Sequence, residues 1–277
     1  MPILYYQAVI LGIIQGLTEF LPISSSAHLA LAPWLFGWKD QGLSFDIAMH
    51  FGTLVSVVLY FFRDWLQIIG QAFGLKWGND PFLKDRPKLL WYLMAASVPA
   101  GIAGLLFKKT VETTLRSAYV IGVMAIVIGL VILLAEYFGA KLKHIGTVSF
   151  MDTMAMGFAQ AVAIVPGTSR SGITIAAGLF RDLDRPTAAR VSFLMSTPII
   201  LAAALKDFWD LHKEGGLAPE MKIPFLLGIV VSGVTGCFVI AFFLKYLRRS
   251  GLQPFVVYRI LFGITVIALA MFRGFQG

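Results

Sequence analysis

The 277-residue chain has a single cysteine, Cys237, so no disulfide can form within it. Charge is scarce as well. Asp, Glu, Lys and Arg make up 14% of the residues, well below the roughly one quarter usual in soluble domains, while 58% are hydrophobic. So little charge and so positive a mean hydropathy exclude an ordinary soluble domain and predict an integral membrane protein. Acidic residues are the scarcer charge, 15 against 23 Lys and Arg, for a net charge of +8. The cations are scattered over short loops rather than clustered, so loop charge bias accounts for them and no nucleic-acid partner is expected. The N-terminus lacks a basic flank before its first apolar run, and no signal peptide is expected there.

What is present is a series of apolar runs of about 20 residues, enough to cross roughly 30 Å of hydrocarbon. They lie near 45 to 62, 89 to 107, 118 to 138, 187 to 205, 224 to 244 and 255 to 272. Two further apolar regions, 2 to 36 and 151 to 180, are too long for one span and carry polar breaks at their centres. Each reads as a re-entrant helix pair with its break facing inward, because irregular backbone at membrane depth must be satisfied by protein or a wet cavity. The predicted fold class is all-α, a polytopic integral membrane protein forming one membrane domain over 1–277. With six spans, the side holding 63 to 88, 139 to 190 (apart from Arg170) and 245 to 253 carries 13 Lys and Arg. The side holding Lys39, 108 to 117, 206 to 223 and Arg273 carries 8. The richer side is expected to be cytoplasmic, with both termini and the mouth of the first pair outside.

The two broken regions resemble one another. Gly12 and Gln15 match Gly157 and Gln160 at an offset of 145; Pro22, Ser25, Leu35 and Phe36 match Pro166, Ser169, Leu179 and Phe180 at 144. Beyond them Thr53 answers Thr197, and Arg63-Asp64-Trp65 answers Lys206-Asp207-Phe208. This predicts two repeats, approximately 1–138 and 145–277, each with one re-entrant pair and three spans. An odd number of spans inverts the second copy, which would bring both breaks together near the midplane.

The first break, residues 15 to 28, reads QGLTEFLPISSSAH. Gln15 and Glu19 share a helix face with Thr18 beside them, Pro22 ends that helix, and Ser24, Ser25 and Ser26 follow at once. His28, three residues beyond Ser25, could take a proton, attack phosphorus or protonate a leaving group, or be only a hydrogen-bonded structural residue. The second break, 166 to 174, reads PGTSRSGIT. Gly167 and Gly172 allow tight turns, Ser169, Ser171 and Thr174 offer hydroxyls, and Arg170 supplies a fork of donors suited to phosphate oxygens. A helix starting near Gly172 would add its N-terminal dipole, so this break favours an anion. A carboxylate beside a phosphate calls for a bridging cation, and Glu19 therefore points to a metal; the other reading is a Glu19–Arg170 ion pair that merely ties the halves together. Asp46 and His50, four apart, could support the site or touch the metal. The charges of the loop 74 to 88 are expected to be solvated, and Lys108, Lys109, Arg248 and Arg249 to sit beside headgroups. Arg259 is expected to snorkel in a structural role.

Taken together, these motifs resemble those of the undecaprenyl-diphosphate phosphatases, the bacitracin resistance proteins. A Glu-or-Gln, three residues, Glu motif is met by Gln15 and Glu19, its histidine by His28, and a Pro-Gly-x-Ser-Arg-Ser-x-x-Thr motif by Pro166, Gly167, Ser169, Arg170, Ser171 and Thr174. Many members have Glu where this chain has Gln15, which weakens any scheme with two carboxylates on one metal. The resemblance implies a membrane enzyme that removes the terminal phosphate of a C55 polyprenyl diphosphate, recycling the lipid carrier of cell-wall glycan synthesis and conferring antibiotic resistance. It also implies dependence on Mg²⁺ or Ca²⁺, an active site open to the outer face of the plasma membrane, and a homodimer. On this reading Glu19, Ser25, His28 and Arg170 are catalytic. Gln15, Ser24, Gly167, Ser169, Arg170, Ser171 and Thr174 bind the diphosphate, and Glu19 holds the metal with Gln15 or Asp46 as further candidates. Water, Ser25 and His28 all remain open as the nucleophile. The alternative is a secondary transporter for an anionic substrate, since broken helices in inverted repeats are also a transporter design.

Overall fold

A computed structural model describes residues 4–39, 42–113, 115, 117–213 and 216–273; the side chains of Lys108 and Lys109 lie outside the described set. The described chain is helical nearly throughout. In order the helices are α1 (Tyr5–Phe20), α2 (Ser25–Phe36), α3 (Leu43–Tyr60), α4 (Phe62–Ala72), α5 (Leu89–Thr113) and α6 (Ala118–Phe138). A short 3-10 turn (Ile145–Thr147) leads to α7 (Phe150–Val162), α8 (Arg170–Phe180), α9 (Arg185–Lys213), α10 (Pro219–Leu247) and α11 (Gln253–Arg273).

Five helices, α5, α6, α9, α10 and α11, are long and apolar enough to cross a membrane. The span expected at 45 to 62 is different: α3 ends at Tyr60 and the chain bends by 73° into α4. The bend falls where polar residues begin. Asp64, in the first turn of α4, lies 2.6 Å from Arg190 at the start of α9, which holds α4 across the end of the bundle instead of in line with α3.

Neither broken region contains a helix able to span. At 1.5 Å per residue, the 16 residues of α1 cover about 24 Å and the 13 of α7 about 20 Å, short of a roughly 30 Å core. Each packs on its own partner, α1 on α2 and α7 on α8, and each also docks in the other half of the chain. Helix α1 lies along α10, and α7 lies along α5. At Gly157 a Cβ would sit 2.2 Å from the Ala96 carbonyl oxygen, so only glycine lets α7 approach α5 this closely. Lipid offers no hydrophobic drive between apolar helices, and such close packing is what holds them together. Beneath the breaks, Phe20, Phe61, Phe193 and Phe243 interlock, with Phe20 and Phe193 edge to face at 5.2 Å.

Loops from the cation-rich side meet at one end. Arg190 bridges Asp64 and Asp80, Arg185 pairs with Glu136, and Asp152 accepts from Lys143 and Arg181. Arg86 donates to the carbonyls of Gly146 and Val148. The loop 74 to 88 is thus largely exposed, as expected, but Asp80 and Arg86 are structural ties and not solvated charges. Arg248 and Arg249 are exposed, in keeping with a place at the headgroups.

Candidate active site

Pro22 shapes the first break. The residue before a proline is driven out of the helical region, and Leu21 is extended at φ −70°, ψ 144° directly after α1 ends. The chain re-enters helix through Ser24, held at φ 78°, a conformation that non-glycine residues rarely adopt. The second break repeats this device. Ser169 sits at φ 68° and caps α8 by accepting from the Gly172 N–H at 3.1 Å. Helix α8 starts at Arg170, two residues before the expected Gly172. The backbone thus pairs Ser24 with Ser169, a register of 145, where sequence alignment pairs Ser25 with Ser169.

Two cross-links join the breaks. Ser171 donates to the Leu21 carbonyl at 3.0 Å, and Arg170 reaches Glu19, Nη2 to Oε1, at 2.5 Å. The ion pair foreseen as the structural alternative therefore exists. It is not closed: Arg170 Nη1 is buried and has no hydrogen-bond partner among the described residues. The other carboxylate oxygen, Glu19 Oε2, accepts from Ser25 Oγ at 2.6 Å and from Gln15 Nε2 at 3.0 Å, with His50 Nε2 at 3.4 Å.

Glu19, Ser25, Arg170 and His50 line a cavity of about 550 Å³, together with Ser24, Ser26, Gln160 and Ser169. The rest of the lining is mostly apolar, with Ala100, Gly101 and Gly104 of α5 and Ala202 and Ala203 of α9 beside the larger Ile47, Leu105, Ile164, Ile199 and Ile200. Lys206 and Asp207 also line it. A buried acid–cation–hydroxyl group beside an apolar wall suits a ligand with an anionic head and a lipid body.

The remaining candidates stand behind or beyond this group. Gln15 is fully buried next to Glu19, its amide oxygen unpartnered. Thr174 is bound into the scaffold, bonded to the Arg170 carbonyl at 2.7 Å and to Ser192 at 2.6 Å. Gly167, at φ +90°, packs on the Ile121 carbonyl. His28 does not meet Ser25: its Nδ1 contacts the Ser24 carbonyl at 2.7 Å, its Nε2 the Tyr258 hydroxyl at 2.6 Å, and its ring stacks on Phe262. Asp46 lines no part of the cavity, and its carbonyl holds His50 Nδ1 at 2.7 Å. That bond leaves His50 Nε2 facing Glu19.

Arg259 is the residue most misjudged by sequence. It does not snorkel; it is 0% exposed and has no carboxylate partner among the described residues. Its guanidinium donates to Pro22 in the first break, to Gly167 and Thr168 in the second, and to Met124 and Ala125 of α6. One cation thus clasps both breaks from behind. Its position, six residues inside a 21-residue apolar helix, was the available signal, since buried ionisable groups at membrane depth mark sites.

Fold and site together define a polytopic membrane protein in which two helix breaks bring a carboxylate, a guanidinium and several hydroxyls to one cavity. The model of the bacitracin resistance protein BacA family matches residues 8–265, and the chain belongs to that family. It is 45% identical over 269 residues to the undecaprenyl-diphosphatase of Desulforudis audaxviator, covering 97% of this chain and 99% of that one. It is 45% identical over 264 residues to the undecaprenyl-diphosphatase of Gemmatimonas aurantiaca, covering 95% and 97%, and 43% identical over 267 residues to that of Moorella thermoacetica, covering 96% and 98%.

Proposed function

We propose that the protein hydrolyses undecaprenyl diphosphate to the monophosphate and inorganic phosphate, recycling the lipid carrier. The observation that carries this is the Ser25–Glu19–Arg170 cluster on a cavity whose remaining lining is mostly apolar. In the proposed reaction Ser25 Oγ attacks the terminal phosphorus while its proton passes to Glu19 across the 2.6 Å hydrogen bond. The P–O bond to the bridging oxygen breaks and the polyprenyl monophosphate leaves. Water then attacks the phosphoserine, freeing phosphate and restoring the Ser25 hydroxyl. Arg170, with Ser24 and Ser169 beside it, stabilises charge on the phosphoryl oxygens. His28 braces the strained Ser24 from outside the cluster and is a positioning residue in this scheme.

The donor set suits a hard divalent cation, Mg²⁺ or Ca²⁺, through one carboxylate, Glu19, with substrate phosphates completing the shell; the Gln15 amide oxygen is unpartnered among the described residues but lies outside the cavity lining. No cluster of three acidic, histidine or cysteine side chains is found among the described residues, so substrate oxygens and water would supply the remaining ligands. Such a cation would neutralise diphosphate charge that Glu19 otherwise repels.

The prenyl tail would run along the small-residue wall between α5 and α9 into lipid. The loop-charge bias supports an orientation in which the Lys206 side of the cavity faces outward across the plasma membrane; a homodimer is proposed on family resemblance alone, with mass measurement in detergent as its check. Lys206→Cys in a Cys237→Ser background should react with an impermeant maleimide on intact cells, and protection until lysis would reverse the orientation. The reaction itself is tested with detergent-purified protein and undecaprenyl diphosphate. Phosphate release that EDTA abolishes, with acid-trapped phosphoserine mapping to Ser25, is the expected result. Release without any phosphoenzyme would replace Ser25 by water, and no release under any metal condition would remove the assignment.

A further inference from the structure

Outside both motifs, one polar side chain faces the cavity with nothing to hold it. Gln160, near the end of α7, is 2% exposed and lines the cavity, and neither its amide nitrogen nor its amide oxygen has a hydrogen-bond partner among the described residues. A buried amide unpaired at both ends is unfavourable unless a ligand or water in the cavity satisfies it.

The contrast with Gln15, 145 residues earlier, explains why this amide is free. Gln15 donates to Glu19, one helical turn on, and contacts the Thr53 hydroxyl at 3.4 Å. One turn beyond Gln160 stands Ile164, which lines the same cavity and offers no acceptor. Thr197, the counterpart of Thr53, likewise has an unpartnered hydroxyl. The second amide has therefore lost its carboxylate partner and is turned into a space it shares with Arg170, whose Nη1 is also unsatisfied.

We propose that Gln160 is a substrate-binding residue, its amide N–H donating to a non-bridging phosphoryl oxygen of the diphosphate that Arg170 holds. This rests on the hydrolase reading given above. A neutral donor suits the place: it adds a hydrogen bond to the anion without a second cation competing for Glu19.

The test uses the full chain, purified in detergent, with undecaprenyl diphosphate as substrate and with kcat, KM and the melting temperature measured together. Gln160→Met keeps the volume and removes the amide. It should melt at or above the native temperature, since an apolar group replaces an unpaired polar one, while kcat/KM falls about tenfold or more through KM. Gln160→Glu should lose more, because its carboxylate repels the diphosphate. Native KM and kcat in Gln160→Met would overturn the inference, as would a loss of activity that only tracks a lower melting temperature. An inactive native protein would instead sink the hydrolase reading, which keeps the two failures apart.

Discussion

In the first break Ser24 enters α2 at φ 78° with its hydroxyl 3.3 Å from that of Ser26; in the second, Ser169 enters α8 at φ 68° with its hydroxyl 3.3 Å from that of Ser171. At the register of 145 that superimposes these serines, Gln15 falls on Gln160. The chemistry does not follow the backbone. Glu19 falls on Ile164, and Ser25, bonded to the carboxylate, falls on Arg170. One turn thus presents an acid and a hydroxyl, and its counterpart presents a cation. We read the pair as copies of one scaffold whose side chains have divided the work, so that neither half holds a complete site.

The largest effects should come from the residues in which the breaks differ. Arg170→Ala and Ser25→Ala should each lower kcat/KM by roughly 10³-fold, Ser25→Ala with the melting temperature kept and Arg170→Ala with a lower one because Glu19 loses its buried ion-pair partner, whereas Ser169→Ala, at the position the breaks share, should cost less activity than either. Equal losses at Arg170 and Ser169, in phosphate-release kinetics, would erase the distinction. Glu19→Gln should fall in the range of about 10²- to 10⁴-fold, as removal of a base does.

Next comes the clasp that both breaks share. Arg259→Met leaves carbonyls of Pro22, Gly167 and Thr168 without their donor, and should destabilise the protein by about 3 kcal/mol or more in thermal melting. Unchanged stability there would mean that the breaks hold their shape without it.

Smaller still is a difference in packing. Gly157→Ala would drive a Cβ to 2.2 Å from the Ala96 backbone, while Gly12→Ala meets the Val231 side chain at 3.0 Å. The former should cost about 1–3 kcal/mol and the latter less, read from the same melts. Equal costs would show that α1 and α7 dock with the same tightness.

Much of this was legible before any coordinates. Hydrophobic length marked α5, α6, α9, α10 and α11, and Pro22 and Pro166 marked the breaks, because both signals are local. Glu19 and Arg170 were each conspicuous as ionisable groups in apolar segments. What could not be read depends on which faces meet. The bend at Phe61 is fixed by Arg190 reaching Asp64 from 126 residues away. The i, i+3 spacing of Ser25 and His28 suggests one shared face, but the His28 ring bonds to Tyr258 and the Ser24 carbonyl instead. Arg259 looked able to snorkel because a sequence cannot tell a lipid-facing position from one against two helix breaks. Gln160 showed only as an echo of Gln15; its missing partners became visible in three dimensions.

The central claim is that Glu19 of one break and Arg170 of the other act on one phosphoryl group. A double-mutant cycle in kcat/KM for undecaprenyl diphosphate, with Glu19→Gln, Arg170→Ala and the double variant, tests it most directly. Residues that act as a unit are strongly non-additive, so the double variant should be little worse than the more damaged single one. Losses that simply multiply would show that the two breaks act independently and would contradict the account.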